Sequence, residues 1–480
     1  MRTSGIVRKL RQMIGIDRAV GFALLGRSWS ALAGIATLGF LVHFLTPKQQ
    51  GYYSTFGSFM ALQVFFELGL SLVLMQFASH ERAGLEWTPQ RTLEGDPVAK
   101  ARLSSLLRRG MLWYGLMSLA VLALIYPVGM VYFRHYGQGG VPVDWQGPWL
   151  FLSVAVSGGL LFTPLWAVLE GSGLVAEVVA AQFVGAVLNS LLFWLMLFRH
   201  WGLYAAPIGG IASSLWVVGW LVARQRGFLW NLWRAAKPGV EVSWREEIWP
   251  FQWKIALSWL SGYFIFRTFN LILFAALGPV AGPVAAGQMG VSLSVTTAIS
   301  AIALGWVATK AAPFGSLVAR RDWAQMDRMF FPCLWQSTTA LVLGETAFWL
   351  LRLGLHHVHN RVDGRLLAPL PLALLMGATV VSHIAAAQAI YLRAHKQEPF
   401  LIPSLLGGVL VSLSSLLLCR PFGATGMMAG YLTVSLAVGL GLGTAIFVQK
   451  RREWHGPPPS GNFPPGSRPP ALAEPGTVSR

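Results

Sequence analysis

Three of the charged side chains within stretches apolar enough to cross a membrane have types and spacing that could bind a substrate or an ion. Arg27 lies in the first stretch, Glu67 near the middle of the second, and Arg267 near the middle of the seventh. Charge inside a bilayer is costly and usually faces a bundle interior or a water-filled cavity. Two guanidinium groups facing one cavity would suit a diphosphate, because a guanidinium binds phosphate oxygens bidentately. We therefore predict that Arg27 and Arg267 bind an anionic substrate.

Small and polar residues accompany both arginines. Ser30, Gly34 and Thr37 follow Arg27 at helical spacing, and Asn270 shares the helical face of Arg267. We expect Asn270 to contribute to the same substrate-binding surface. For Arg27 the alternative is a side chain that extends to the nearby membrane interface, whereas Arg267 is too deep to do so easily.

Glu67 lies in a polar stripe of the second stretch. Gln63 and Ser71 flank it one helical turn to either side. Glu67 could couple transport to a cation, and Gln63 could contact substrate. A structural ion pair between Glu67 and one of the arginines explains the same pattern equally well.

The eighth stretch carries hydroxyl and amide groups at every fourth position, beginning at Gln288 and continuing through Ser292, Thr296 and Ser300. This face could meet sugar or water, and Gln288 is a predicted substrate-binding residue. Hydrogen bonds between helices are the alternative. We interpret Glu345 and His383 as packing groups, and the outer-loop His356, His357 and His359 do not predict a metal site, since no carboxylate or cysteine completes one.

Composition identifies the class of protein. The chain has 480 residues, of which 54% are hydrophobic and 12% charged, and its mean hydropathy is +0.55. So few charges cannot cover a soluble surface, and the chain is too apolar to be disordered. The composition therefore predicts a membrane protein with several spans. The net charge of +18 favours loops beside anionic headgroups over nucleic acid. Cys333 and Cys419 lie in apolar segments and imply no disulfide framework.

A membrane span needs about 20 mostly apolar residues. The predicted spans are 19–45, 51–78, 111–133, 148–169, 174–198, 203–223, 251–276, 281–308, 330–352, 366–392, 399–419 and 425–448.

The basic residues predict the orientation of these spans. With the N-terminus inside, 28 Lys and Arg fall on the inner side, 7 on the outer side and 2 within spans. Inner loops of membrane proteins are enriched in such residues. Both termini are therefore predicted to be cytoplasmic.

The two halves of the chain have the same order of loops. Each has a tight outer turn, then a basic inner loop (79–110 or 309–329), then a longer outer loop (134–147 or 353–365). The predicted fold class is all-α integral membrane, with about 12 transmembrane helices in two six-helix lobes related by a parallel pseudo-two-fold repeat. Such proteins place their site between the halves.

The predicted domains follow from this plan. Residues 1–18 form a basic amphipathic segment on the inner membrane surface, and 19–223 form the first lobe. Residues 224–250 form an interfacial linker rich in Trp and Arg, and 251–448 form the second lobe. Residues 449–480 form a disordered Pro-rich tail.

Nucleotide-binding and hydrolase motifs are absent from the sequence. We therefore expect no cofactor and no catalytic residues. Transport, if it occurs, is expected to be passive or driven by an ion gradient.

Several short motifs are similar to those of a known family. Leu45-Thr46-Pro47, Gly51-Tyr52-Tyr53, Glu67-Leu68-Gly69-Leu70 and Gln76-Phe77-Ala78-Ser79 resemble the start of bacterial polysaccharide-biosynthesis flippases. The Glu170-Gly171-x-Gly173 turn is also similar to theirs. This O-antigen and lipid-linked oligosaccharide family belongs to the multidrug/oligosaccharidyl-lipid/polysaccharide flippase superfamily. The second half resembles the family less, because its outer turn at 278–283 lacks the Gly-Tyr pair.

The resemblance implies a V-shaped pair of lobes in a bacterial cytoplasmic (inner) membrane. It implies that a polyprenyl-diphosphate-linked oligosaccharide, a repeat unit of O-antigen, capsule or exopolysaccharide, moves from the inner to the outer leaflet by alternating access. Membrane lipids, and a polysaccharide polymerase or glycosyltransferases of the pathway, are the implied partners. Arg27 and Arg267 match the basic cavity that the family often has.

Two alternatives remain open from the sequence. A cation-coupled multidrug exporter of the same fold would favour acidic sites over these arginines. A membrane polysaccharide polymerase or ligase would be expected to have a large outer loop or clustered carboxylates, and the outer loops here are short.

Overall fold

The computed structural model describes residues 18–67, 69–139, 141–237, 240–249, 252–253, 263–264, 267–358, 360, 362–395 and 397–455. The predictions for residues 1–17 and 456–480, for His359 and for most of the first half of the predicted seventh span (251–276) fall outside these ranges. The backbone of Arg27 is described as helical, whereas its side chain lies outside the description.

The first lobe consists of helices joined by short turns and one small hairpin. Its elements are α1 (Arg18–Phe44), α2 (Pro47–Met60), α3 (Val64–Glu67), α4 (Leu70–Arg82), β1 (Leu85–Trp87), β2 (Leu93–Gly95), α5 (Pro97–Tyr136), α6 (Gln146–Leu160), α7 (Thr163–Leu169), α8 (Val175–Phe198) and α9 (Ala205–Trp220), and the linker helix α10 (Arg226–Arg234) packs against them. The antiparallel β1–β2 hairpin pairs Glu86 with Glu94 and is an addition to the predicted all-α plan.

The second lobe has the same character. Its described helices are α11 (Thr268–Ala276), α12 (Gly278–Ala308), α13 (Ala311–Arg320), α14 (Trp323–His357), α15 (Pro369–Arg393), α16 (Leu401–Val434) and α17 (Gly443–His455). The helix that ends the described chain therefore continues past residue 448, where the predicted twelfth span ends.

Seven helical stretches of the described chain are long and apolar enough to cross a membrane, or eight if the bent pair Pro47–Glu67 and Leu70–Arg82 counts as one. Two of the seven are 53 and 55 residues long. Glycines with positive φ, Gly173 (φ 93°) and Gly423 (φ 58°), divide these two at the turns predicted between spans. The multi-pass, all-helical fold class is confirmed.

The second predicted span is broken near its middle. A 3₁₀ turn covers Ala61–Gln63, and Gly69 adopts a left-handed backbone (φ 67°), so that the helices on either side meet at 44°. Glycine adopts this conformation at little cost because it has no Cβ. The break directs the two halves of the span towards different neighbours.

Hydrophobic packing is shared between the lobes at one end and separate at the other. We call the outer end the one with residues 45–50, 134–146 and 277–279, following the charge-based prediction. Towards this end one core includes residues of both lobes, among them Tyr52, Phe133 and Phe274. At the inner end, a cluster that includes Phe228 packs within the first lobe, and a cluster that includes Phe330 packs within the second.

Candidate functional site between the lobes

Helices α2 and α12 approach each other closely at the outer end. A Cβ placed on Gly51 would overlap the carbonyl group of Pro283, and a Cβ on Gly290 would overlap the side chain of Ser54. A Cβ on Gly287 would lie 2.9 Å from the amide nitrogen of Gly51. These glycines therefore allow backbone-to-backbone packing between the lobes, as small residues do in membrane helix pairs.

Gln50 on α2 forms hydrogen bonds to the second lobe beside this contact. Its side chain is 1% exposed, and its Nε2 donates to the carbonyl oxygens of Gly287 (2.9 Å) and Arg365 (3.3 Å). Arg365 in turn donates to Gln50 Oε1 (3.4 Å) and to the carbonyl oxygen of Leu45 (2.6 Å). We call these hydrogen bonds the Gln50–Arg365 clasp. The sequence predicts only that Arg365 lies in an outer loop, because the partners of Arg365 are distant from it in sequence.

Asn270 also takes part in the joint between the lobes. It is 7% exposed, and its Nδ2 donates to Ser58 Oγ (3.2 Å) and to the carbonyl oxygen of Ser54 (3.4 Å). Tyr263 donates to the carbonyl oxygen of Ser58 (3.2 Å). The structure therefore places Asn270 in an interlobe contact, while its buried Oδ1 has no hydrogen-bond partner among the described residues.

Arg267 lies just before α11, one helical turn from this contact. Its backbone N–H donates to the carbonyl oxygen of Tyr263 (2.9 Å), and its side chain is exposed. It forms no salt bridge within the described ranges. The guanidinium group is therefore available to an external anion beside the contact between the lobes.

Glu67 ends α3 at the break in the second span. Ser71 donates its hydroxyl to Glu67 Oε1 (2.7 Å), and Gln63, which ends the 3₁₀ turn, is half-buried. The predicted continuous helical stripe is thus interrupted between these residues. Within the described part of the chain Glu67 forms no salt bridge, and the two arginines and Glu67 are not brought into one described contact.

The polar face of α12 is engaged by its own lobe. Gln288 Nε2 donates to the carbonyl oxygen of Gly364 (3.0 Å), and Ser292 Oγ accepts from the backbone of Leu367 (3.0 Å). Thr296 donates to the carbonyl oxygen of Leu293 (3.2 Å). These contacts match the alternative of structural hydrogen bonding for this face.

The inner half of the second span packs onto its own lobe. A Cβ on Gly171 would lie 2.5 Å from the carbonyl oxygen of Met75, so the Glu170–Leu174 turn fits closely against α4. The carbonyl oxygen of Ser172 accepts from Arg82 Nε (3.0 Å) and Trp87 Nε1 (2.9 Å). At the inner end the described residues thus form one hydrophobic cluster with the first lobe and a separate one within the second.

The linker is held to the first lobe by basic side chains of α5. Arg102 bridges Glu81 (2.7 Å) and Glu247 (2.7 Å), and Arg109 donates to the carbonyl oxygen of Val242 (2.9 Å). Burial alone would raise the pKa of Glu247, but hydrogen bonds from the Ser243 backbone and Arg102 lower it overall. The sequence predicted a linker along the headgroups and did not predict these ion pairs.

A polar cluster closes the inner end of the second lobe. Asp327 on α14 accepts from Tyr391 (2.6 Å) and from Arg451 Nε (3.0 Å) on the terminal helix α17. Nearby, the Nε2 atoms of His395 and His455 lie 3.2 Å apart. The contacts of Asp327 with Arg451 and Tyr391 hold α17 against the inner ends of α14 and α15.

The outer-loop histidines show no metal cluster. His356 Nδ1 lies 2.8 Å from Asp363 Oδ2, and Asp363 also pairs with Arg352 (3.2 Å). Among the described residues no group of three or more His, Cys, Asp or Glu side chains could hold a metal ion.

Known structures share this fold. No protein-family model matches the sequence, and no match is found among curated proteins. The inward-facing conformation of a multidrug resistance MATE family transporter of the MOP superfamily matches with a TM-score of 0.55 and 13% identity, over 88% of this chain and 98% of that chain. The lipid II flippase MurJ in its inward closed conformation matches with a TM-score of 0.57 and 12% identity, over 91% of this chain and 90% of that chain.

A third structure extends this likeness. The MATE multidrug transporter DinF-BH matches with a TM-score of 0.54 and 13% identity, over 90% of this chain and 94% of that chain. At such identities the likeness defines the fold alone. The chain therefore has the two-lobe, all-helical membrane fold of these three structures.

Proposed function

We propose that this protein is a flippase that moves a polyprenyl-diphosphate-linked oligosaccharide, a repeat unit of O-antigen, capsule or exopolysaccharide, from the inner to the outer leaflet. The observation that carries the proposal is the exposed Arg267 guanidinium, which lies in a predicted span, one turn from the Asn270–Ser58 contact, without a salt bridge in the described ranges. An unpaired intramembrane cation is costly unless it meets water or an anion. A diphosphate group satisfies both its charge and its donor geometry.

The diphosphate would bind Arg267 together with Arg27, whose side chain lies outside the described part of the chain. The glycan would lie between the two lobes, and the prenyl tail would remain in lipid. Asn270 and Gln288 are engaged in hydrogen bonds here, so their contribution to binding would require those bonds to open. Gln63 is half-buried beside the helix break.

Glu67 is the proposed coupling group for a proton or sodium ion. Broken membrane helices commonly form ion sites, because the break leaves backbone carbonyl groups free to coordinate. Glu67 ends α3 at such a break and has Ser71 within hydrogen-bonding distance. Loss of this carboxylate is therefore expected to reduce coupled transport more than substrate binding.

The arrangement of contacts supports the proposal of alternating access. In this structure the Gln50–Arg365 clasp and the glycine contacts hold the outer ends together. Opening towards the outer leaflet would require these contacts to break, while the inner clusters approach each other. We place the protein in a bacterial cytoplasmic membrane with both termini inside, as a transporter rather than an enzyme, with polymerase or glycosyltransferase partners.

A multidrug exporter is the second candidate, because two of the similar structures are described as multidrug transporters. Transport of lipid-linked glycan into the outer leaflet of proteoliposomes distinguishes the candidates. The wild-type protein should expose a polyprenyl-diphosphate glycan to an external glycosidase, R267K should retain part of this activity, and R267Q should lose most of it. Export of cationic dyes without glycan translocation would reject the flippase.

A further inference from the structure

The carboxyl group of Glu345 is buried inside the second lobe and is not one of the proposed substrate-binding groups. Glu345 on α14 is 3% exposed, and neither of its carboxylate oxygens has a hydrogen-bond partner among the described residues. An ionised carboxylate without a partner is very costly in an apolar interior, so the group is neutral there or binds a cation.

The surroundings of Glu345 favour a proton over a metal cation. A sodium ion needs several oxygen ligands, whereas the adjacent Gly344 packs against the aliphatic side chain of Ile299 on α12. Helix α12 carries no titratable residue from Gly278 to Ala308. The absence of a facing cation on this helix leaves the carboxyl without a charge partner from that side.

The other elements packed on α14 contribute titratable groups that are mostly engaged elsewhere. On α15 His383 Nε2 bonds to Ser337 (3.0 Å) and Tyr391 to Asp327 (2.6 Å), and Arg393 pairs with Glu398 (2.8 Å). On α14 itself, Arg328 donates to the carbonyl oxygen of Ala324 (3.3 Å) and Cys333 to that of Trp306 (3.3 Å), while Arg352 and His356 pair with Asp363. The remaining groups are His357 at the end of α14, Arg365, which belongs to the outer clasp, and Arg320 at the end of α13.

We propose that Glu345 is a proton-binding site that holds a proton while the outer ends of the lobes are closed and exchanges it when α12 moves. The link is mechanical. The same helix α12 meets the first lobe through Gly287 and Gly290, and covers the neighbourhood of Glu345 through Ile299. A shift of α12 during opening would therefore expose the carboxyl group of Glu345 to water. Any role of this proton in driving transport rests on the proposed function, but its binding does not.

Infrared difference spectroscopy of the purified full-length protein in lipid nanodiscs tests proton binding without a transport assay. At neutral pH the wild-type protein should show a protonated carboxyl band that E345Q removes and that E453Q, an exposed control, retains. Absence of any band removed by E345Q would overturn the proposal, as would its loss on adding sodium at constant pH. If E345Q does not fold, ¹³C-glutamate labelling of the wild-type protein assigns the band, with E67Q and E170Q to remove the two half-buried glutamates that form no salt bridge in the described ranges.

Exchange into deuterated water tests the link to α12. In the variant Q50C/R365C cross-linked by a short bismaleimide, deuteration of the band should slow by about tenfold or more relative to the same variant without the cross-link, because exchange requires opening. Native Cys333 and Cys419 are buried, and the cross-linker is first tested on the protein with only these two. Equal exchange rates in the two proteins would overturn the link, whatever the transport assays show.

Discussion

Gln50 and Arg365 exchange hydrogen bonds across the boundary between the two lobes. Gln50 Nε2 donates to the carbonyl oxygen of Arg365 at 3.3 Å, and Arg365 Nη1 donates to Gln50 Oε1 at 3.4 Å. Both residues lie at the end defined above as outer, which under the proposed function is the side on which a translocated substrate would leave.

Removing the clasp should favour opening at the outer end. In Q50A the lost hydrogen bonds weaken the closed state by about 1 kcal/mol each, which shifts the equilibrium towards the outward-open form by several-fold or more. Distances between spin labels on the two lobes at the outer end should therefore show an enlarged population of long separations. A distribution identical to that of the wild-type protein would show that Gln50 does not hold the lobes together.

Adding a methyl group at the closest helix contact should have a similar effect. G51A forces a Cβ into the carbonyl group of Pro283, and overpacking of this kind costs about 1–3 kcal/mol. G57A is the matched control on the same helix, because a Cβ there meets nothing within 4 Å. Cross-linking across the outer end should fall in G51A and be unchanged in G57A, and equal cross-linking in both would contradict the predicted close packing.

Cutting the link between the linker and the first lobe should loosen the linker locally. R102A removes the bridge between Glu81 and Glu247, which are partly buried, and should destabilise the docked linker by about 1 kcal/mol. Hydrogen exchange in residues 241–248 should increase, with little change in the second lobe. Unaltered protection of the linker in R102A would contradict a structural role for this bridge.

Acidification should release the terminal helix α17. Burial lowers the pKa values of His395 and His455 below the ordinary 6.5. The unfolded or released form then binds more protons than the docked form, so docking is complete above pH 6.5 and weakens as the pH falls below it. Hydrogen exchange of residues 443–455 should increase in that range in the wild-type protein and lose most of this dependence in the double variant H395Q/H455Q. The same pH dependence in both proteins would assign the effect to other groups.

The multi-pass helical fold was predictable from the sequence, because each long apolar helix that the structure describes follows from a local run of apolar residues. The turns at Gly173 and Gly423 also coincide with predicted span boundaries, since glycine tolerates the positive φ that each turn needs. The break at Gly69 was not predicted, because Gln63, Glu67 and Ser71 have a spacing that fits an unbroken helix equally well. Local spacing does not reveal where the backbone leaves the helical conformation.

The contacts of the candidate residues depend on long-range packing and could not be read from the sequence. Asn270 has the spacing of a cavity-lining residue, yet it bonds to Ser58 of the other lobe. Gln288 has the same kind of spacing and bonds to Gly364 in a loop. Arg267 was selected because of the cost of its charge in a membrane, and the structure places its exposed side chain beside the joint between the lobes.

The most direct test of the account is the sidedness of polyprenyl-diphosphate-linked glycans in a strain that lacks this protein. The glycans are extracted for mass spectrometry, and their accessibility is probed from each side of the membrane in the deletion strain and in strains restored with wild-type or R267Q protein. We expect complete repeat units to accumulate on the cytoplasmic side in the deletion and R267Q strains, and to reach the outer leaflet with the wild-type protein. Normal amounts of glycan on the outer side of the deletion strain would contradict the proposed function.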